Sequence, residues 1–314
     1  QRAGDLDGAL DRYIAALRFM RGPRDLTSAT GQFLWGYERI TLHHLRYWAS
    51  EPQQTPERIR RAVHDLEQIP IQDAIPDLER SLQPNYLLAR RCIAGDEAAL
   101  RQGQDAWGLL ADADSAYYRW CFRFLPWERQ RALRLEAASA ARALTTIHQL
   151  RRALAQHAPV QLRSGRDEEK EWMHWFATTI SPARLWPDNW SREAVCLGEF
   201  ISIQRATLIV LALQGWRLEH GTLPRTLDEL SPAWFAHIPV DPWTGTPFEY
   251  YPDGLREQTA WRDDMWYWGT FTLPPQRPLL KAQKTGPYYA ESQRTSPDSV
   301  PHRRIFPIPI SEDK

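Results

Sequence analysis

Long apolar runs are missing from this chain of 314 residues. The longest, Leu208 to Leu213, falls far short of the roughly 18 to 20 residues that a membrane-crossing helix needs. A charge of one sign is missing as well: 39 basic side chains stand against 39 acidic ones, so no basic excess exists to follow a phosphate backbone. No nucleic-acid partner is expected. Lysine is absent before Lys170, and the arginines that replace it are interspersed with carboxylates, the pattern of solvated helix faces. Cysteine is scarce. Cys92, Cys121 and Cys196 are odd in number and lack metal-type spacing, which leaves buried free thiols, or one Cys92–Cys121 bridge outside the cytoplasm.

Recognisable catalytic motifs are also lacking: no G-x-S-x-G, phosphate loop, G-x-G-x-x-G or C-x-x-C is found. His43 and His44 are neighbours on a helical stretch, so their side chains diverge by about 100° and cannot share one metal ion. Glu168 to His174 lacks the H-E-x-x-H spacing that places two imidazoles on one helix face. No catalytic, cofactor-binding or metal-ligating residue is therefore assigned, and no cofactor is expected. An enzyme whose site is drawn from several distant helices is the alternative.

What the chain does have is helical patterning and enough apolar residues, 43%, to build a core. Asp5 can cap a helix through Met20 with Leu6, Leu10, Ile14 and Leu17 on one face. Thr55-Pro56-Glu57 opens another, with a capping hydroxyl, proline at the first position and an acid in the first turn. Further starts fall at Pro76-Asp77 and at Asp96 after Gly95, and one long helix is predicted from Pro126 to about His157. Within it, Ala137-Ala-Ser-Ala-Ala141 lets a neighbouring backbone come close. The Gly-Asp openings at Gly4 and Gly95 resemble the start of the second helix of a tetratricopeptide repeat but show no regular period, so a shared capping solution is favoured over repeat homology. Short loops between such helices imply an antiparallel bundle or an irregular solenoid.

The most specific segment is residues 206–254. A hydrophobic helix from about Cys196 to His220 ends at Gly221, and Thr226 with Glu229 forms a capping box for a short helix carrying Leu227 and Leu230. Pro239 and Pro242 pin the backbone around Asp241, Gly245 can take a positive φ, and Phe248 to Tyr251 reads as a strand that begins a hairpin. A second strand is predicted over Met265 to Phe271.

The pattern Gly221, Pro224, Leu227, Leu230, Pro239, Asp241, Pro242, Trp243, Gly245, Pro247, Tyr250, Gly254 resembles the region after the core helix of type II secretion pseudopilins. The same run resembles the C-terminal part of large planctomycete proteins with a membrane anchor and a helical middle. That resemblance implies a small α+β module, an extracytoplasmic location, and an anchor in a segment preceding Gln1. It brings no activity. In the first family calcium is often held in a later loop, but here Asp263-Asp264 run into Trp266-Tyr-Trp268 without the glycine-rich sequence, so an exposed acidic turn is expected.

The expected architecture is mainly α: a helical region at 1–157, a linker at 158–170, the long helix and α+β module at 171–272, and an extended proline-rich tail at 273–314. If ordered, that tail must pack on this protein or on another, which makes it a candidate assembly strap. Fifteen tryptophans are present; Trp261, Trp266 and Trp268 fit core packing, a protein interface or a glycan surface, and are the interface candidates. The function expected is a non-catalytic extracytoplasmic scaffold or accessory subunit that binds other protein subunits. The alternatives are a hydrolase-type enzyme with a dispersed site and a pilus-like assembly subunit.

Overall fold

The computed structural model describes residues 4–21, 29–69, 74–107, 124–156, 189–256, 259–262, 270–273, 275–282 and 305–309. The protein is mainly helical. Seven helices are described: α1 (Leu6–Met20), α2 (Ala29–Trp48), α3 (Pro56–Glu67), α4 (Ala74–Ile93), α5 (Glu97–Trp107), α6 (Pro126–Gln156) and α7 (Asn189–His220). A 3-10 turn (Leu227–Leu230) and five short strands follow: β1 (Glu249–Tyr251), β2 (Thr259–Arg262), β3 (Thr270–Leu273), β4 (Leu279–Lys281) and β5 (Ile305–Pro307).

Local chemistry explains where the helices begin. The Asp5 carboxylate accepts from the Gly8 N–H at 2.9 Å, and Thr55 Oγ1 accepts from the Arg58 N–H at 3.3 Å with Pro56 directly after it. Gly95 sits at φ +85°, and Asp96 accepts from the N–H groups of Ala98 and Ala99 at 3.0 Å each, starting α5. Helix α4 begins at Ala74, two residues before the expected Pro76, and continues through Pro84.

Helix α7 is the centre of the molecule. Its N-terminal half shares a core with α4 and α6 through Leu197, Phe200, Ile201, Ile75, Ala143 and Ile147. Its C-terminal half lies in a second core built from α1, α2, α3 and the segments after Gly221. Each leucine buried there, such as Leu10, Leu17 and Leu66, contributes about 1.5–3 kcal/mol relative to exposure. One stretch, Leu197–His220, is long and apolar enough by composition to cross a membrane, yet 94% of its apolar window is buried inside the fold. It is the core helix.

Two buried polar ties fix the helices. Trp48 Nε1 donates to the Leu6 carbonyl at 3.1 Å, locking the end of α2 to the start of α1. Arg21, just past α1, pairs with Glu38 of α2 through Nε at 2.8 Å and through Nη2. The same guanidinium donates to the Ile69 carbonyl and approaches Gln204 Oε1 at 3.3 Å, while Gln204 Nε2 donates to the carbonyls of Leu66 and Ile69. The carbonyls left open at the end of α3 are thus satisfied from two other elements.

The strands pair differently from the hairpin the sequence predicts. β1 is antiparallel to β4, with Tyr250 opposite Leu280, and β4 is antiparallel to β5, with Leu280 opposite Phe306. β2 and β3 form a separate antiparallel pair with Trp261 opposite Phe271. Of the predicted strand over 265–271, only Thr270 and Phe271 fall in β3; residues 263–269 lie outside the described residues. The partner of β1 therefore comes from the proline-rich tail. Leu279, Leu280, Ile305, Phe306 and Ile308 are all buried, so the described parts of that tail pack on this protein's own core.

Candidate functional site

The segment singled out by sequence folds against α7 as a set of two indole seats and one buried acid. Gly221 takes φ +78° and its N–H donates to the Arg217 carbonyl at 2.8 Å, ending α7. Glu229 then accepts from the N–H groups of Arg225 and Thr226 at 2.8 Å each, which holds the turn carrying the buried Leu227 and Leu230. Pro224 is buried, and its carbonyl accepts from the Tyr250 hydroxyl at 3.0 Å. Burial raises the Tyr250 phenol well above its ordinary value, with the charges of Glu229 and Asp253 adding to the effect.

Asp241 is fully buried. Its backbone organises a closed loop: the N–H donates to the Thr246 carbonyl at 2.9 Å, and its own carbonyl accepts from Gly245 at 2.8 Å and Thr244 at 3.2 Å. Gly245 has φ +67°, as this turn requires. The carboxylate accepts from the Trp243 N–H at 3.2 Å and from Ser202 Oγ at 3.4 Å, joining the loop to α7. Arg205 lies beside it and donates to the Val240 carbonyl at 2.8 Å. Burial lowers the guanidinium's pKa, and the neighbouring Asp241 charge opposes that shift. Pro239 is half-buried and Pro242 is buried at the two edges of this loop.

The indoles complete the arrangement. A β-carbon on Gly198 would stand 2.5 Å from Trp243 Cζ2, and one on Gly215 would stand 1.9 Å from Trp234 Cη2. Both glycines of α7 are therefore notches for rings from the following segment. Trp234 is also covered by the Arg60 guanidinium of α3, 4.4 Å from the ring centroid, with Arg60 Nη1 donating to the Ala233 carbonyl at 3.0 Å.

The structure thus brings Gly221, Pro224, Pro239, Asp241, Pro242, Trp243, Gly245 and Tyr250 together as a structural clamp on α7. Trp261 lies in β2, and Trp266 and Trp268, like Cys121 and Asp263-Asp264, lie outside the described residues. Cys92 is a buried free thiol whose Sγ donates to the Ala99 carbonyl at 3.2 Å. His43 and His44 meet edge to face at 5.8 Å, and no cluster of metal-ligating side chains occurs among the described residues.

Several aromatics outside the core carry no signal in the sequence. Phe19 is 80% exposed, Trp127 63%, Tyr37 60% and Phe124 58%, all in or beside helices of the first half, whereas Trp234, Trp243, Phe248 and Phe306 are buried. Apolar periodicity finds the buried face and gives no sign for single rings on the opposite one. No family model, no curated protein and no solved structure matches this chain.

Proposed function

We propose that this chain is a non-catalytic scaffold or accessory subunit that holds other protein subunits through its helical half. The observation that carries this reading is the distribution of aromatics among the described residues: Trp234 and Trp243 beyond α7 are seated in notches of the core, whereas Phe19, Tyr37, Phe124 and Trp127 are presented to solvent. Exposed aromatic anchors are enriched where proteins bind one another. Three buried polar groups on α7, Gln204, Ser202 and Gln214, are engaged with backbone or with Asp241, which suits a rigid frame.

The resemblance of Gly221 to Gly254 to the pseudopilin module supports an extracytoplasmic compartment and an α+β module carried by a longer, anchored precursor. The clamp that those residues form on α7 is in keeping with such a module. Purification under native conditions tests the reading. A stoichiometric companion that is lost when Phe19 and Trp127 become serine supports it. A companionless monomer that turns over a substrate sinks it and moves the chain to the dispersed-site enzyme.

A further inference from the structure

Helix α6 presents a heptad-spaced seam to solvent. Trp127, Arg134, Ala138, Ala141, Thr145, His148 and Arg152 follow one another at intervals of seven, four, three, four, three and four, and all are exposed. Such spacing keeps side chains on one narrow face over many turns. The opposite face, through Ala132, Ala143, Ile147 and Leu150, is buried against the rest of the fold. The middle of the seam is small, and Ala137 beside it is exposed too, so Ala137, Ala138 and Ala141 face away from the helices among the described residues. Leu144, 40% exposed, borders it.

Charge decides what fits this face. Helix α6 carries six arginines, Arg129, Arg131, Arg134, Arg142, Arg151 and Arg152, against two glutamates, Glu128 and Glu136. On its flank Glu79 of α4 lies 2.6 Å from Arg151 Nη2 and 3.5 Å from His148 Nε2. Arg134 and Arg152, on the seam itself, have no ion pair among the described residues. A second copy of this helix would set one arginine-rich face against another, whereas a helix with carboxylates flanking an apolar stripe would meet opposite charge at Arg134 and Arg152.

We propose that the exposed seam of α6 docks an acidic amphipathic helix from a partner protein. Bulky apolar residues of the partner settle over Ala138 and Ala141, and carboxylates reach Arg134 and Arg152. The seam from Trp127 to Arg152 is about 38 Å long at the rise of an α-helix, room for a partner of roughly 25 residues. This rests on the scaffold reading and names the face and the chemistry of what it holds.

The probe is a labelled helical peptide of about 25 residues with leucines at seam positions and glutamates beside them, set against the same peptide with lysines for glutamates. Anisotropy should show the glutamate peptide bound and the lysine peptide unbound. Arg134→Glu/Arg152→Glu should weaken the glutamate peptide about tenfold or more and admit the lysine peptide. Ala141→Arg, which leaves the charge favourable and fills the shallow centre, should abolish binding. Should the charge-reversed protein fail to fold, Arg134→Gln/Arg152→Gln carries the same comparison. Equal binding of both peptides, binding indifferent to these variants, or preference for anionic vesicles or an oligonucleotide overturns the proposal, as does self-association that Ala141→Arg removes. A native companion retained by Arg134→Glu/Arg152→Glu defeats this face and leaves the scaffold reading intact, whereas absence of any companion defeats the scaffold reading instead.

Discussion

The indole of Trp234 occupies the space where a side chain on Gly215 would begin: a β-carbon there would stand 1.9 Å from Cη2. Glycine inside a helix ordinarily costs about 1 kcal/mol relative to alanine, so Gly215→Ala should stabilise a free helix. In this fold the clash reverses the sign, and overpacking of a close-fitted core costs about 1–3 kcal/mol. Gly215→Ala is expected to destabilise the protein by about 2 kcal/mol in denaturant unfolding. In a double-mutant cycle with Trp234→Leu, the loss should be well below the sum of the two single losses, because the ring that clashes is gone.

Gly215 also shows what a sequence does and does not disclose. Gly221 was readable as the end of α7, because a glycine after a periodic apolar stretch has one local use, the left-handed cap, and the structure has φ +78° there. Gly198 and Gly215 have no such local use; the rings they receive arrive from residues 45 and 19 positions further on, respectively, which no helical period reveals. Apolar density puts the beginning of α7 near Cys196, whereas the helix runs from Asn189, because that density begins only at Leu197. The long helix from Pro126 was legible almost to the residue, and so was the capping box at Thr226. The tail strands were not. Leu279-Leu280 and Ile305-Phe306 are too short for alternation to register, and their pairing with β1 and with each other is a tertiary fact.

Asp241 joins its loop to α7 from a fully buried position, next to the partly desolvated Arg205. Asp241→Asn keeps an acceptor for the Trp243 N–H and is expected to cost about 1–2 kcal/mol. Both variants remove the negative charge beside Arg205, and Asp241→Ala removes the acceptor and the packed atoms as well, so a loss of about 3 kcal/mol is expected for it. Thermal unfolding of the two variants checks the order, and equal losses would show that the charge carries the whole effect and that the shape and acceptor retained by asparagine contribute nothing.

The Arg21–Glu38 pair is almost entirely out of water, with side-chain exposures of 8% and 4%. Removing one partner leaves the other charge buried, so Arg21→Met and Glu38→Leu should each cost about 3–5 kcal/mol. The double variant replaces both charges with apolar groups and should recover a large part of that loss, limited by the carbonyl of Ile69 that Arg21 also serves. Additive losses in a double-mutant cycle would show that the two side chains act independently.

Burial pushes the Cys92 thiol up to about 11, with the nearby Asp96 charge acting in the same direction. In the unfolded chain the thiol ionises near its ordinary value, below that of the folded state. Both states are protonated at neutral pH, so the thiol has no effect on stability there. Between the unfolded and folded values the unfolded chain alone loses the proton, so stability should fall as pH rises from about 9 towards 11. Cys92→Ala should flatten that part of the pH profile relative to the parent. In alkylation at mild alkaline pH, Cys92 should react slowly when folded and at once after denaturation.

The end of the chain closes the same core that α1 begins. Phe306 packs edge to face on Phe248 with ring centroids 6.2 Å apart, lies under the Arg46 guanidinium of α2 at 5.3 Å, and sits opposite Leu280 in the sheet. Three residues later the Pro309 carbonyl accepts from Gln214 Nε2 of α7 at 2.6 Å, in a fully buried position. A tail that served only as a strap for a partner would leave these inner groups covered when it was removed. Here removal strips β5 from β4, uncovers Phe248 and Leu280, and leaves the Gln214 amide without its acceptor. Truncation before Ile305 is therefore expected to lower the unfolding midpoint and to raise binding of an apolar dye in the isolated protein, with Phe306→Ala reproducing part of the loss at about 3 kcal/mol or more. An isolated protein that unfolds at the same midpoint with and without residues 305–314 would assign the segment to a partner instead of to its own fold.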